Sequence, residues 1–284
     1  MSISVHISID MEGVAGIVHT DQASQSGNDY EMMRKAMTLE ANAAIEGSID
    51  SGATTVVVND SHGSMRNLLP YMLDQRAELI SGSPKPLGMM QGVENNPNIS
   101  MCVGYHSRPG EKGILSHTIR GSNVVQNYFI NEKPSSEFEI NAGIAGYYDV
   151  PVGMIAGDTD IVEDAKNLVP NIVGSPVKEA INKFSAKNLS GNDAFKLIKR
   201  NAAEAVANRD QFKPIKYNGV VKMGVEFSSD LMADVVSMIP GITRETRQLI
   251  SYESKDYIEA WKLSLIHISE PTRRTPYLVC RLLL

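Results

Sequence analysis

Three stretches of the chain read as strands that stop abruptly at loop residues. Ser4 to Ile9 alternates, with Val5, Ile7 and Ile9 on one side, and ends at Asp10. Alternation of this kind predicts a strand. Thr54 to Val58 is continuously β-branched and ends at Asn59-Asp60-Ser61-His62-Gly63. Ile99 to Val103 ends at Gly104-Tyr105-His106. Such unbroken runs suit strands covered on both faces. Between the first two lies a helical pattern, Asn28 to Ser51. Met33, Met37, Ala41, Ala44 and Ile45 fall near helical spacing, Asn28 can cap the start, and Gly52 sits just past the end.

Further along, Ala77 to Ile80 predicts a short strand, and Ile114 to Ile119 with Val124 to Ile130 a strand pair around Gly121-Ser122. Asn131 to Pro134 reads as a turn, Ser136 to Tyr147 as a helix, and Pro151 to Ala156 as a strand leading into a helix at Asp158. Ser190 to Asn208 predicts a Ser-capped helix. After it come a strand at Val220 to Phe227, a helix at Asp230 to Met238, a strand near Ile250 to Tyr252 and a helix toward Lys262. Strands alternating with helices predict an α/β layered fold, a sheet with flanking helices. The expected division places an α/β domain at 1–190 and a smaller α+β part at 191–262.

Composition narrows the class. Of 284 residues, 42% are hydrophobic and 21% charged, which suits a soluble globular enzyme able to bury its own core. Lys plus Arg number 27 against 33 Asp plus Glu, a net charge of -6 that argues against a nucleic-acid partner. Two cysteines make no disulfide framework. No apolar run reaches the roughly 18–20 residues of a membrane span. Met1 to Val5 lacks the basic start and apolar core of a signal peptide, so a cytoplasmic protein without membrane contact is expected. From Leu263 the text changes character. Leu263 to Arg273 matches the translation of a sequencing-library transposon adapter without a gap, and 263–284 is set aside from functional reasoning.

The candidate chemistry is positional. Asp10, Glu12, His62 and His106 all lie just past the C-terminal ends of predicted strands. In open α/β sheets that edge binds ligands. Asp10 and Glu12, two apart, project to the same side if the chain stays extended. Carboxylates and imidazoles together suit a divalent metal such as zinc. Simpler readings stand beside this one: an Asp at a strand end often closes a turn, as Asp60 does well, and His6 and His19 read as structural. Ser61 between Asp60 and His62 lacks the Gly-x-Ser-x-Gly elbow of a serine hydrolase. Glycine-rich nucleotide fingerprints and His-Glu-x-x-His are missing from the sequence.

Ser8-Ile9-Asp10-Met11-Glu12-Gly13 resembles the Ser-x-Asp-x-Glu-Gly signature of the bacterial D-aminopeptidase family. Val58 to His62, Gly104 to His106, Ser116-His117, Asn131 to Glu137, Ala145 to Pro151 and Ala156 to Asp158 resemble its further blocks in order. The resemblance implies a zinc-dependent aminopeptidase acting on short peptides with an N-terminal D-amino acid of the D-Ala type. It implies two zinc ions per subunit and a ring-stacked homo-oligomer, a decamer. Asp10 would bridge both ions, Glu12 and His62 would complete one site, and His106 and Glu137 the other, with Glu139 a competitor for the last role. His117 would be the catalytic histidine. The rival expectations are a metal-dependent amidase or L-peptidase with the same site, a non-catalytic binding module, and a nucleotide-binding oxidoreductase, which the missing fingerprint disfavours.

Overall fold

A computed structural model describes residues 2–264. The adapter-like stretch lies outside the described residues from 265 onward. Two compact units result, one of residues 1–116 and 137–216, the other of 117–136 and 217 onward.

The larger unit is built on a seven-stranded sheet. In chain order its elements are β1 (Ser4–Ile9), α1 (Thr20–Ala23), α2 (Tyr30–Asp50), β2 (Thr55–Asp60), β3 (Ala77–Ile80) and β4 (Ile99–Tyr105). After the segment 117–136, which carries β5 (Val125–Ile130) and β6 (Lys133–Pro134), it resumes with α3 (Glu137–Tyr147), β7 (Val152–Asp158) and α4 (Thr159–Leu168). It closes with β8 (Val173–Asn182), β9 (Ser185–Asn188) and α5 (Gly191–Ala207). The strand order is β3-β2-β1-β4-β7-β8-β9, parallel except for β9. The order reverses direction between β1 and β4. Right-handed crossovers therefore put α2 on one face and α3 and α4 on the other. α2 packs with α5, and α3 with α4. Ile7, Ile9, Val58, Met101 and Val103 from the strands meet Met37, Ala41, Ala44 and Ile45 from α2 and Ile198 and Ala202 from α5 in one core.

The smaller unit has an antiparallel sheet of order β11-β12-β10-β5-β6, with β10 (Val221–Phe227), β11 (Thr243–Arg244) and β12 (Leu249–Ser254). The helices α6 (Asp230–Val236) and α7 (Tyr257–Lys262) pack on β10 and β12. Its β5–β6 hairpin turns at Asn131 and Glu132, both at positive φ (49° and 69°), as a two-residue turn that follows the strand twist requires.

The α/β class holds, and most expected elements are present within a few residues. Four details differ. The division near 190 does not occur: α5 packs on α2 in the larger unit, and 117–136 joins residues after 216. No strand forms at 114–119, because Leu115 and Ile119 adopt left-handed conformations (φ 50° and 65°), and β5 pairs with β10 instead. Asn28 does not cap α2; Asp29 holds that position and makes no side-chain cap bond. β8 and β9 were not expected.

Candidate metal centre

A doubly wound sheet binds ligands where its strand order reverses, beyond the C-terminal strand ends. That crevice lies between β1 and β4. Asp10 follows β1 directly, its N–H donating to Val103 O at 2.8 Å. The loops after the two strands touch backbone to backbone, with Gly13 N–H donating to Gly104 O at 2.8 Å. A Cβ at Gly13 would lie 1.9 Å from Tyr105 O, and one at Gly104 (φ +70°) 2.1 Å from Asp10 O. Only glycine fits either place, and this contact brings Asp10 and Glu12 beside His106.

His62 sits on the loop after β2. Asp60 closes that loop by accepting Asn67 N–H at 2.5 Å and Leu68 N–H at 2.7 Å. The Asn67 side chain donates to Asp60 Oδ1 at 2.8 Å and to His62 O at 2.6 Å. Asp60 is thus the turn-closing residue it resembled in sequence. His62 Nε2 donates to Ala23 O at 2.7 Å. Its Nδ1 faces Asp10 Oδ1 at 3.3 Å and Glu12 Oε2 at 2.9 Å. His106, fully buried after β4, places Nδ1 on Ser107 O at 3.0 Å. Its Nε2 faces Asp10 Oδ2 at 3.5 Å and Glu137 Oε2 at 3.4 Å. Glu137 is the first residue of α3 and is buried.

Within the larger unit, two groups have all their members, Asp10–Glu12–His62 and Asp10–His106–Glu137, with Asp10 in both and a different carboxylate oxygen turned to each imidazole. In each imidazole one nitrogen is committed to a carbonyl, which fixes the tautomer. The other nitrogen faces carboxylate oxygens: as an N–H it pairs with them, and once deprotonated it offers a metal ion its lone pair. This is how metal-binding histidines are oriented. The spacing fits as well: ligands about 2.1 Å from a tetrahedral zinc lie about 3.4 Å from one another.

Electrostatics agree. Burial, then the neighbouring Glu12 charge, pushes the Asp10 carboxyl up to about 7. Burial opposes charge on His106, yet Glu137 beside it raises its pKa to about 10. Burial likewise opposes charge on His62, and Glu12 and Asp10 hold its pKa well above the ordinary value. A field that draws protons onto buried imidazoles draws a divalent cation equally.

The chain can be placed among known proteins on these grounds. A family model described as D-aminopeptidase matches residues 3–266. The D-aminopeptidase of Bacillus subtilis (strain 168) is 34% identical over 276 residues, covering 97% of this chain and all of that protein. The chain belongs to the D-aminopeptidase family. A solved structure of that family, the Zn-dependent D-aminopeptidase DppA from Bacillus subtilis, a self-compartmentalizing protease, superposes with a TM-score of 0.92 at 34% identity. It covers 97% of this chain and 100% of that one.

Of the residues expected at a D-aminopeptidase site, Asp10, Glu12, His62, His106 and Glu137 converge in the larger unit, and Glu137 rather than Glu139 enters the group. His117 begins the smaller unit and is half-buried. His6 is structural, bonding Ser100 Oγ and Gln91 O, and His19 caps α1. Ser61 bonds Ser8 Oγ and Met89 O in a buried network, which removes the serine-hydrolase reading. Sequence reasoning missed Lys178, whose ammonium donates to the carbonyls of the Glu12 loop, because its strand carried no readable pattern.

Proposed function

We propose that the protein is a zinc-dependent aminopeptidase that releases an N-terminal D-amino acid, of the D-Ala type, from short peptides. The observation that carries this reading is the pair of oriented imidazoles facing three buried carboxylates. Asp10 is assigned to both of two zinc ions, Glu12 and His62 to one, His106 and Glu137 to the other. With neutral imidazoles the five side chains carry a charge of about -3, and two divalent cations bring that close to balance. Family membership and the name of the Bacillus relative supply the substrate class.

Bound zinc would polarise the scissile carbonyl and bring the pKa of water to about 7. The chain's own groups do the rest. Asp10 would be kept ionised by the bound cations. The Ala23 and Ser107 carbonyls keep His62 and His106 in the tautomers that leave a lone pair for metal. His117, assigned by the resemblance, is the group proposed to touch the reacting atoms. An imidazole, with an ordinary pKa near 6.5, can donate a hydrogen bond to the oxyanion or hand a proton to the leaving amine.

A homo-oligomer of stacked rings, a decamer, and a cytoplasmic location complete the proposal. The relative is a self-compartmentalizing protease. Among the described residues no helix is long and apolar enough to cross a membrane. The deciding measurement is hydrolysis of D-Ala-D-Ala beside L-Ala-L-Ala, with zinc-loaded and chelated protein. Cleavage of the D form alone, lost on chelation, is expected. Equal cleavage of both forms, or activity indifferent to chelation, would overturn the assignment.

A further inference from the structure

Lys178 is 3% exposed in β8. An ammonium carries three donors and no acceptor. Lys178 Nζ places them on three carbonyls, Glu12 O at 2.5 Å, Val14 O at 2.9 Å and Ile17 O at 2.7 Å. All three belong to the loop that leaves β1 and carries Glu12. The strand is shaped to aim the side chain. Along β8, Ser175 and Val177 are buried and Pro176 is exposed, so Lys178 should point outward. Instead the pairing with β7 shifts there: Gly157 faces Pro176 and Asp158 faces Lys178. Such a bulge turns the following residue over, and Lys178 points inward directly after Val177.

Burying an ammonium is costly unless its hydrogen bonds are replaced, and here the replacements all lie on one loop. The same loop is held from other sides. Ala15 N–H donates to Glu40 Oε1 at 2.8 Å, Gly16 N–H to Asn188 Oδ1 at 2.9 Å, and Gly13 N–H to Gly104 O at 2.8 Å. Those contacts use the loop's donors. Lys178 supplies what remains, a single point of positive charge on which the carbonyls of residues 12, 14 and 17 converge. An apolar side chain would fill the space and leave three buried carbonyls turned toward one another.

We propose that Lys178 is a positioning residue for Glu12, its three-way grip setting the backbone from which Glu12 reaches the metal centre. The proposal rests on the zinc reading above. It predicts a selective effect: the ion assigned to Glu12 and His62 depends on Lys178, and the ion assigned to His106 and Glu137 does not. A merely structural lysine would weaken both ions together or neither.

The test compares wild type, Lys178→Met and a control, Asn201→Ala. The control removes bonds to Gly174 O and Ser175 Oγ at the far end of the same strand. Zinc affinity is read by chelator competition, and ligand geometry by the visible spectrum of cobalt-substituted protein. In Lys178→Met one metal equivalent should bind about 10–100-fold more weakly, with its cobalt bands shifted and the other equivalent unchanged. Asn201→Ala should lower Tm while keeping both equivalents. Folded Lys178→Met that binds both equivalents within twofold of wild type, with an unaltered cobalt spectrum, overturns the proposal. Should Lys178→Met not fold, Lys178→Arg is read by the same criteria, since it keeps the charge but cannot put three donors on one point. Wild type that takes up no zinc would overturn the metal centre itself, a result distinct from a selective failure at Lys178.

Discussion

His6 lies on β1 and His106 just past the end of the neighbouring parallel strand β4, both about 1% exposed, both hydrogen-bonded through a ring nitrogen to a backbone carbonyl. Their pKa values move in opposite directions. Burial, with Lys85 nearby, takes His6 down to about 4. Burial acts against charge on His106 too, but Glu137, Glu12 and Asp10 lift it to about 10. The residue type and the burial are the same; the neighbours differ. His6 sits mid-strand among a serine hydroxyl and a carbonyl, while His106 sits past the strand end, where loops from other strands bring carboxylates. A buried histidine is therefore a packing element in the middle of this sheet and, at its edge, a member of a carboxylate cluster whose chemistry suits a cation.

The largest effect should come from removing the carboxylate that makes the edge different. Asp10→Asn takes away the side chain shared by both groups. Zinc content should fall toward zero and kcat/KM by at least about 1000-fold, the equivalent of about 4 kcal/mol. Metal analysis beside D-Ala-D-Ala hydrolysis checks it, and retention of both ions would show that Asp10 does not define the edge. A smaller contrast is expected between the two edge histidines. His62 is on a loop with its side chain 13% exposed, whereas His106 is enclosed. His62→Ala should lose one ion and stay within about 1 kcal/mol of wild-type stability. His106→Ala should lose the other ion and about 2–4 kcal/mol besides, because it opens a cavity and leaves buried carboxylates facing each other. Urea unfolding of the two variants decides the matter; equal costs would break the contrast.

The sequence marked the edge well and its supports poorly. β1 read as an alternating strand and β2 and β4 as buried runs, and they end at Ile9, Asp60 and Tyr105, beside the site residues. Glu137 could not be picked by composition, since a carboxylate in the first turn of a helix is ordinary; only the family resemblance singled it out. Lys178 was invisible for a different reason. β8 contains Pro176, Lys178 and Glu179, and its bulge breaks the alternation that would have revealed it. The strand read at 114–119 had the right residues, but Leu115 and Ile119 are left-handed, a choice made by tertiary context. The division of the chain was misplaced because a linear reading joins neighbours, whereas 117–136 pairs with strands a hundred residues later.

The smallest effect concerns the mid-strand histidine, and it sharpens the comparison by asking whether His6 matters only as a neutral ring. Its folded pKa of about 4 lies below the ordinary 6.5. The folded state thus binds this proton less readily than the unfolded chain. Stability contributed by neutral His6 is present above pH 6.5 and is lost as pH falls toward 4, with an upper limit of about 3 kcal/mol. Glu40 acts oppositely, because its carboxyl, raised by burial to about 7, favours the folded state as it protonates. Zinc release by protonated ligands adds another slope in the same range. The difference between wild type and His6→Gln removes these shared terms, since the variant keeps every other titrating group. Between pH 6.5 and 4 the unfolding free energy of wild type should drop relative to His6→Gln by about 1–3 kcal/mol. Parallel pH profiles would mean that the ring takes up its proton without cost, and that the contrast between mid-sheet and edge lies in the carboxylates alone.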